Sequence, residues 1–112
     1  MEQAKNMARL AYEALSEKKG EDIRVINISE ISTLADYFII ANGTNESQVN
    51  ALVENVEEKL EKAGYTVKQR EGYGLMDYRD VVIHIFDEEN RLFYDLERIW
   101  RDGRVVENID EL

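Results

Sequence analysis

Two carboxylates that could support catalysis, Asp77 and Asp80, stand three residues apart on either side of a polar corner. A carboxylate pair can hold Mg²⁺ or act as general acid and general base. Residues that share one face of a strand are an even number apart, so these two side chains are expected to lie across the corner. A carboxylate beside a tight turn commonly caps the backbone. We therefore favour a capping role over a catalytic pair.

The segment Asn42-Gly43-Thr44 is a second candidate, because it separates an apolar run from a predicted helix. The N-terminus of a helix can bind phosphate through its free backbone N–H groups. However, one glycine matches neither the dinucleotide-binding nor the phosphate-loop spacing. A structural turn is therefore favoured over an anion site.

The only histidine of the chain, His84, lies in the apolar run 81–86, on the face of Val82 and Phe86. A lone histidine lacks the further ligands that a zinc site needs, and the chain has no cysteine to supply them. A buried, hydrogen-bonded histidine is favoured over a proton-transfer role. No nucleophile with an adjacent base is visible in the sequence.

The composition suits one compact domain, with 112 residues of which 44% are hydrophobic. The net charge of −10 disfavours binding to nucleic acid, which usually needs a basic face, and suits a basic protein surface. No apolar run approaches the ~20 residues that cross a bilayer. The first residues lack the pattern of a signal peptide, so we expect a cytoplasmic protein.

Hydrophobic periodicity predicts two long helices, at 3–18 and 46–63, each with apolar residues three and four apart. Asn45, followed three residues later by Gln48, predicts a capping box at the start of the second helix, with Thr44 as the alternative cap. A third helix is predicted at 90–100, where it is expected to cover the sheet.

Five segments are predicted to be strands, at 23–28, 36–41, 65–70, 75–78 and 81–86. The last of them is apolar except for His84, which predicts a central strand buried on both faces. The corner before it predicts an antiparallel hairpin, and the β-α-β passage from 36 to 70 suggests a parallel pair.

These elements predict an α/β fold with a mixed five-stranded sheet packed with helices. We expect a single domain over 1–100. It is followed by an acidic tail, 101–112, that lies loosely on the surface.

Three motifs resemble the ribosomal silencing factor (Iojap) family. The first is Ala-Asp-Tyr-Phe-Ile-Ile-Ala-Asn-Gly-Thr at 35–44 with the following Gln48. The second is Asp-Tyr-x-Asp-Val-Val-Ile-His-Ile-Phe at 77–86, and the third is Tyr-Asp-Leu-Glu-Arg-Ile-Trp at 94–100. Their order and spacing match the family, and the resemblance covers nearly the whole chain up to Trp100.

The resemblance implies a nucleotidyltransferase-like fold and a non-enzymatic role without cofactor or metal. Members bind the large ribosomal subunit through ribosomal protein uL-fourteen and sterically block subunit joining, which represses translation under nutrient limitation. Nucleotidyltransferases with this fold hold metal with an Asp-x-Asp pair after a Gly-Ser turn, and no such pair follows Gly43-Thr44 here. The alternative is a small enzyme of this fold that uses Asp77 and Asp80 with Mg²⁺.

The resemblance also predicts the residues that contact the partner. The docking edge is expected at Tyr73, Leu75, Met76, Asp77, Tyr78 and Arg79, with Glu97 and Trp100 as a second group. Many members have a longer loop here that ends in Trp, and Tyr73 takes that position. Isolated members often look dimeric, and a short edge strand could pair across a two-fold axis when the protein is off the ribosome.

Overall fold

The computed structural model describes residues 2–33, 35–71, 74–87, 104–106 and 112. Within them lie two helices, α1 (Glu2–Glu17) and α2 (Glu46–Lys62). The strands are β1 (Glu21–Asn27), β2 (Tyr37–Gly43), β3 (Gln69–Glu71), β4 (Leu75–Asp77), β5 (Val81–Asp87) and β6 (Arg104–Val105). Both long helices are confirmed, and the helix predicted at 90–100 lies outside the described residues.

One mixed sheet contains all of these strands, in the order β3-β4-β5-β2-β1-β6. β2 and β5 run parallel, with Tyr37 opposite Val81, and the other pairs are antiparallel. The prediction of a mixed sheet with an antiparallel hairpin before β5 is confirmed. The predicted parallel pairing of β2 with the strand after α2 is wrong, because β5 is the parallel neighbour. Apolar β5 takes the central position, and short, polar β3 takes the edge.

The strand expected at 65–70 forms only at its end, because residues 63–65 complete the end of α2. The backbone N–H of Tyr65 donates to the carbonyl of Leu60 at 2.9 Å. Gly64 has a φ of 93°, a left-handed conformation typical of the residue that terminates a helix. The chain therefore reaches the sheet only at Gln69.

Residues 104–106 join the sheet, so the prediction of a loose tail is wrong for them. In β6, Val105 lies opposite Ile26 of β1, and the backbone N–H of Val106 donates to the carbonyl of Val25 at 2.8 Å. Pairing with β6 covers backbone groups of β1 that would otherwise lie at an open edge. Within the described residues, the five predicted strands lie in one sheet, and β6 adds a sixth strand to it.

Both helices pack on one face of the sheet. α1 and α2 bury the apolar residues of their predicted stripes, among them Met7, Leu15, Leu52 and Leu60. On the opposite face, Ile26, Ile40 and Phe86 form a smaller buried cluster. β5 thus contributes buried side chains to both faces, as predicted. Neither described helix is long and apolar enough to cross a lipid bilayer.

Candidate functional site

The predicted docking edge is β4 together with the turn that leads into β5. In β4, Leu75 lies opposite His84 and Asp77 lies opposite Val82, on the sheet face away from the helices. Leu75 and Asp77 are partly exposed there. Arg79, at the tip of the turn, is exposed. Three of the predicted contact residues are therefore accessible together.

Met76 and Tyr78 face the opposite way, into the core beneath the helices. Met76 is 0% exposed and Tyr78 is 4% exposed, so neither offers a contact surface in this fold. The burial of Met76 and Tyr78 therefore argues against a direct contact role for these two residues of the predicted docking edge. The even spacing of Met76 and Tyr78 places both on the helix-facing side, and their role is to hold the edge against the core.

The hydroxyl of Tyr78 is buried and has no hydrogen-bond partner among the described residues. Its burial, and secondarily the nearby carboxylate of Glu57, raise the pKa of Tyr78, so the phenol stays protonated at neutral pH. Leaving a hydroxyl unpaired costs roughly 1–3 kcal/mol, so Tyr78 is retained at some cost to stability.

The turn between β4 and β5 holds Arg79 in an unusual backbone conformation. The N–H of Asp80 donates to the carbonyl of Tyr78 at 3.0 Å, which places Arg79 at the centre of a three-residue turn with a φ of 78°. Such a turn is rare and strained for a residue with a Cβ atom. The Oδ1 atom of Asp77 accepts the N–H of Arg79 at 2.7 Å. The prediction that a carboxylate caps this turn is confirmed.

The turn is also tied to the centre of the sheet. The backbone carbonyl of Asp80 accepts hydrogen bonds from the N–H groups of Asp36 at 2.7 Å and Tyr37 at 3.3 Å, where β2 begins. The turn is therefore anchored to the start of β2 by backbone hydrogen bonds. An anchored loop loses little conformational entropy when a partner binds.

The other candidates for chemistry have structural roles here. Thr44 donates its backbone N–H and its hydroxyl to the Oε1 atom of Gln48, the latter at 2.7 Å, so both donors of Thr44 are engaged. Asn45 caps α2 by accepting the N–H of Gln48 at 2.9 Å, as predicted, but the Gln48 side chain bonds Thr44 and does not complete the predicted capping box. A Cβ atom on Gly43 would lie 2.7 Å from the side chain of Val49. The segment is a close-packed turn.

Asp77 and Asp80 do not form part of a metal cluster in the described chain. Within residues that the structure describes, no group of three or more His, Cys, Asp or Glu side chains could hold a metal ion. The Oδ1 atom of Asp77 is already occupied by the backbone of Arg79. The geometry does not specifically support binding of Mg²⁺ by Asp77 and Asp80.

His84 packs against Phe86, with ring centroids 3.8 Å apart. Burial lowers the pKa of His84 to about 4, so the imidazole is neutral at neutral pH. A proton-transfer role near neutrality is disfavoured, because efficient proton donors and acceptors have pKa values near the working pH. Tyr73, Glu97 and Trp100, the remaining predicted contact residues, lie outside the described residues.

Together, the fold and this edge define a small α/β domain that displays an anchored, charged turn beside the short strand β4. The chain belongs to the ribosomal silencing factor family: the family profile described as "Ribosomal silencing factor during starvation" matches residues 1–112.

Individual relatives agree with the family match. The chain is 36% identical to the ribosomal silencing factor of Halalkalibacterium halodurans, over 90% of this chain and 91% of the relative. It is 33% identical to that of Bacillus subtilis, over 92% of each. A crystal structure of a protein from Chromobacterium violaceum is similar to it, with a TM-score of 0.82 and 35% identity over 88% of this chain and 86% of the other.

Proposed function

We propose that this protein silences ribosomes. It binds the large ribosomal subunit through ribosomal protein uL-fourteen and sterically blocks joining of the small subunit, which represses translation when nutrients are scarce. The observation that carries the proposal is the family match over residues 1–112. The relatives are named silencing factors rather than enzymes, which supports a non-enzymatic role. We assign the protein to the cytoplasm and assign it no cofactor or metal. The fold is proposed to be related to that of nucleotidyltransferases.

The charge of the domain supports a basic protein partner. A net charge of −10 attracts a basic surface over long range and speeds the encounter. It also opposes direct binding to RNA phosphates. A basic ribosomal protein is therefore a better primary contact than ribosomal RNA.

The anchored turn supplies the docking surface. Leu75 and Asp77 lie on one accessible face of β4, and Arg79 extends from the adjacent turn. We assign contacts also to Tyr73, Glu97 and Trp100, which the family resemblance implies. Met76 and Tyr78 support this surface from the core.

Self-association off the ribosome is part of the proposal. β3 lies at one end of the strand order and pairs with β4. A second copy could pair with this edge across a two-fold axis and cover the docking surface. Sedimentation that stays monomeric at high protein concentration would remove this part of the proposal.

The function is tested by co-sedimentation of the purified protein with isolated large and small ribosomal subunits, with subunit reassociation scored in the same gradients. We expect the protein to pellet with the large subunit only and to reduce the fraction of joined ribosomes. Pelleting with neither subunit, or normal reassociation despite binding, would contradict the proposal.

A further inference from the structure

A cleft of about 250 Å³ opens next to the turn between β4 and β5. Its walls are the first two turns of α1, the segment between α2 and β3, and the turn itself, and we call it the turn cleft. Pockets for drug-sized ligands usually measure about 300–1,000 Å³, so the turn cleft has room for a single side chain rather than a cofactor.

Two cations without ion pairs line the turn cleft. Lys68 and Arg79 are both exposed, and neither forms a salt bridge within the part of the chain that the structure describes. Asp80 also lines the cleft, so its lining carries two positive charges and one negative charge. A cleft with net positive charge is a local exception in a chain of charge −10.

One residue fixes the backbone of both cations. The carbonyl oxygen of Asp77 accepts the N–H of Lys68 at 2.8 Å, and its Oδ1 atom accepts the N–H of Arg79 at 2.7 Å. Both side chains therefore begin from positions that are set relative to the same residue.

The hydroxyl of Tyr65 adds a neutral donor to the lining. It accepts a hydrogen bond of 2.9 Å from the Nδ2 atom of Asn6, which leaves its own proton for another acceptor. An ammonium, a guanidinium and a hydroxyl proton together match a group that only accepts hydrogen bonds and carries negative charge.

We propose that the turn cleft receives a carboxylate side chain of the docked protein partner. This inference rests on the proposed function and adds a specific contact to it. A guanidinium binds a carboxylate through two parallel hydrogen bonds, which fixes its orientation as well as its charge. One acidic residue on an otherwise basic partner would then set the register of docking, while the remaining charges provide the attraction.

A phosphate of ribosomal RNA fits the turn cleft less well. Proteins that bind a phosphate backbone carry a basic patch or stripe that replaces many counterions. Here the two cations share the cleft with Asp80. The net charge of −10 also repels a polyanion, whereas a single carboxylate on a basic surface does not reverse the overall attraction.

The substitution Lys68→Glu tests the inference, because it should weaken binding to the large subunit if the inference holds and strengthen binding if it does not. If the partner presents only basic groups here, the added negative charge should strengthen binding to the large subunit. If the cleft receives a carboxylate, binding should weaken by about tenfold or more, the change that one hydrogen bond to a charged group can carry. Lys18→Glu, at another exposed lysine, is the matched control and should leave binding unchanged or slightly tighter.

Binding of Lys68→Glu that equals or exceeds that of the unmodified protein would overturn the inference, with docking itself intact. If Lys68→Glu does not fold, Lys68→Met is used instead, because it removes the charge and retains the length of the aliphatic side chain. Repeating the comparison with the partner ribosomal protein free of RNA identifies the source of the negative charge. Weakening seen only on the intact subunit would indicate an RNA phosphate and would also overturn it.

Failure of the unmodified protein to bind the subunit would contradict the proposed function instead. In that case, carboxylate binding by the turn cleft is tested without the ribosome, by titrating the ¹⁵N-labelled protein with acetate. We expect the backbone amide resonances of positions 68 and 79 to shift in the unmodified protein and to stay in place in Lys68→Met. No shift in the unmodified protein would overturn the inference.

Discussion

The Oδ1 atom of Asp77 accepts a hydrogen bond of 2.7 Å from the backbone N–H of Arg79, which has a φ of 78°. A residue with a Cβ atom adopts this conformation only when its surroundings determine it. The carboxylate beside the turn therefore stabilises a strained backbone, and the strain lies where the proposed docking surface is displayed.

Asp77→Ala should lower the free energy of unfolding by about 1 kcal/mol, because the N–H of Arg79 loses its acceptor. Asp77→Asn keeps an oxygen at the same position and should be affected less. Urea denaturation of the two variants and the unmodified protein measures the difference. Equal stability of the Ala and Asn variants would show that the hydrogen bond does not support the turn.

Arg79→Gly should be more stable than Arg79→Ala by about 1 kcal/mol, because only glycine adopts positive φ without a steric cost. Both variants lose the same cation, so the comparison isolates the backbone. We expect both to bind the large subunit equally weakly if the guanidinium makes the contact. A glycine variant that binds as tightly as the unmodified protein would contradict a role for the Arg79 side chain.

Asp77→Lys combined with Tyr73→Ala should abolish binding to the large subunit while the fold survives. The double variant reverses a charge and removes an aromatic group at the proposed docking surface. Glu54→Lys, at an exposed position on α2, is the control for charge reversal and should bind almost normally. Co-sedimentation measures binding, and circular dichroism confirms folding. Unchanged binding by a folded double variant would contradict the assignment of the docking surface.

Gly74→Ala should destabilise the protein by at least about 2 kcal/mol more than Gly64→Ala. Both glycines have positive φ, 85° and 93°, so the backbone cost of alanine is similar. A Cβ atom on Gly74 would overlap the carbonyl oxygen of Ile85, whereas one on Gly64 would have nothing within 4 Å. Thermal or urea unfolding of the two variants gives the comparison. Equal losses would mean that β4 and β5 can separate to admit the methyl group.

Stability should fall with pH below about 6.5 through His84. Burial lowers the pKa of His84 from 6.5 to about 4 in the folded protein, so between these values the unfolded chain binds a proton that the folded protein does not. The contribution of the neutral imidazole is complete above pH 6.5 and is lost as the pH falls towards 4.

The measurement for His84 compares the unfolding free energy of the protein and of His84→Gln between pH 7 and pH 4.5. The carboxylates titrate in both proteins, so the difference between the two curves reports the histidine. We expect the variant to lose less stability over this range. Parallel curves would show that His84 titrates alike in the folded and unfolded states.

Sequence patterns were sufficient for elements defined by neighbouring residues. The apolar stripes of α1 and α2, the cap at Asn45 and the capped turn at Asp77 all follow from spacings of a few residues. A helix repeats every 3.6 residues and a turn is closed by its own backbone, so their energetics are local. The three motifs that resemble the family were likewise visible in the sequence.

Only the tertiary structure decided which strands are neighbours. The choice of β5 over β3 as the parallel partner of β2, and the addition of β6 to β1, depend on pairings between distant segments. No local spacing encodes these pairings, because each reflects competition among all strands for the centre of the sheet. For the same reason, the burial of Met76 and Tyr78 was not expected from the docking motif.

The turn cleft also could not be predicted from the sequence. Lys68 and Arg79 are eleven positions apart and belong to no shared motif. They line one cleft because Lys68 is hydrogen-bonded to the backbone of Asp77 and Arg79 to its side chain. The sequence by itself determined the helices, the capped turn and the family. The long-range packing of the sheet decided which residues around that turn are accessible to a partner.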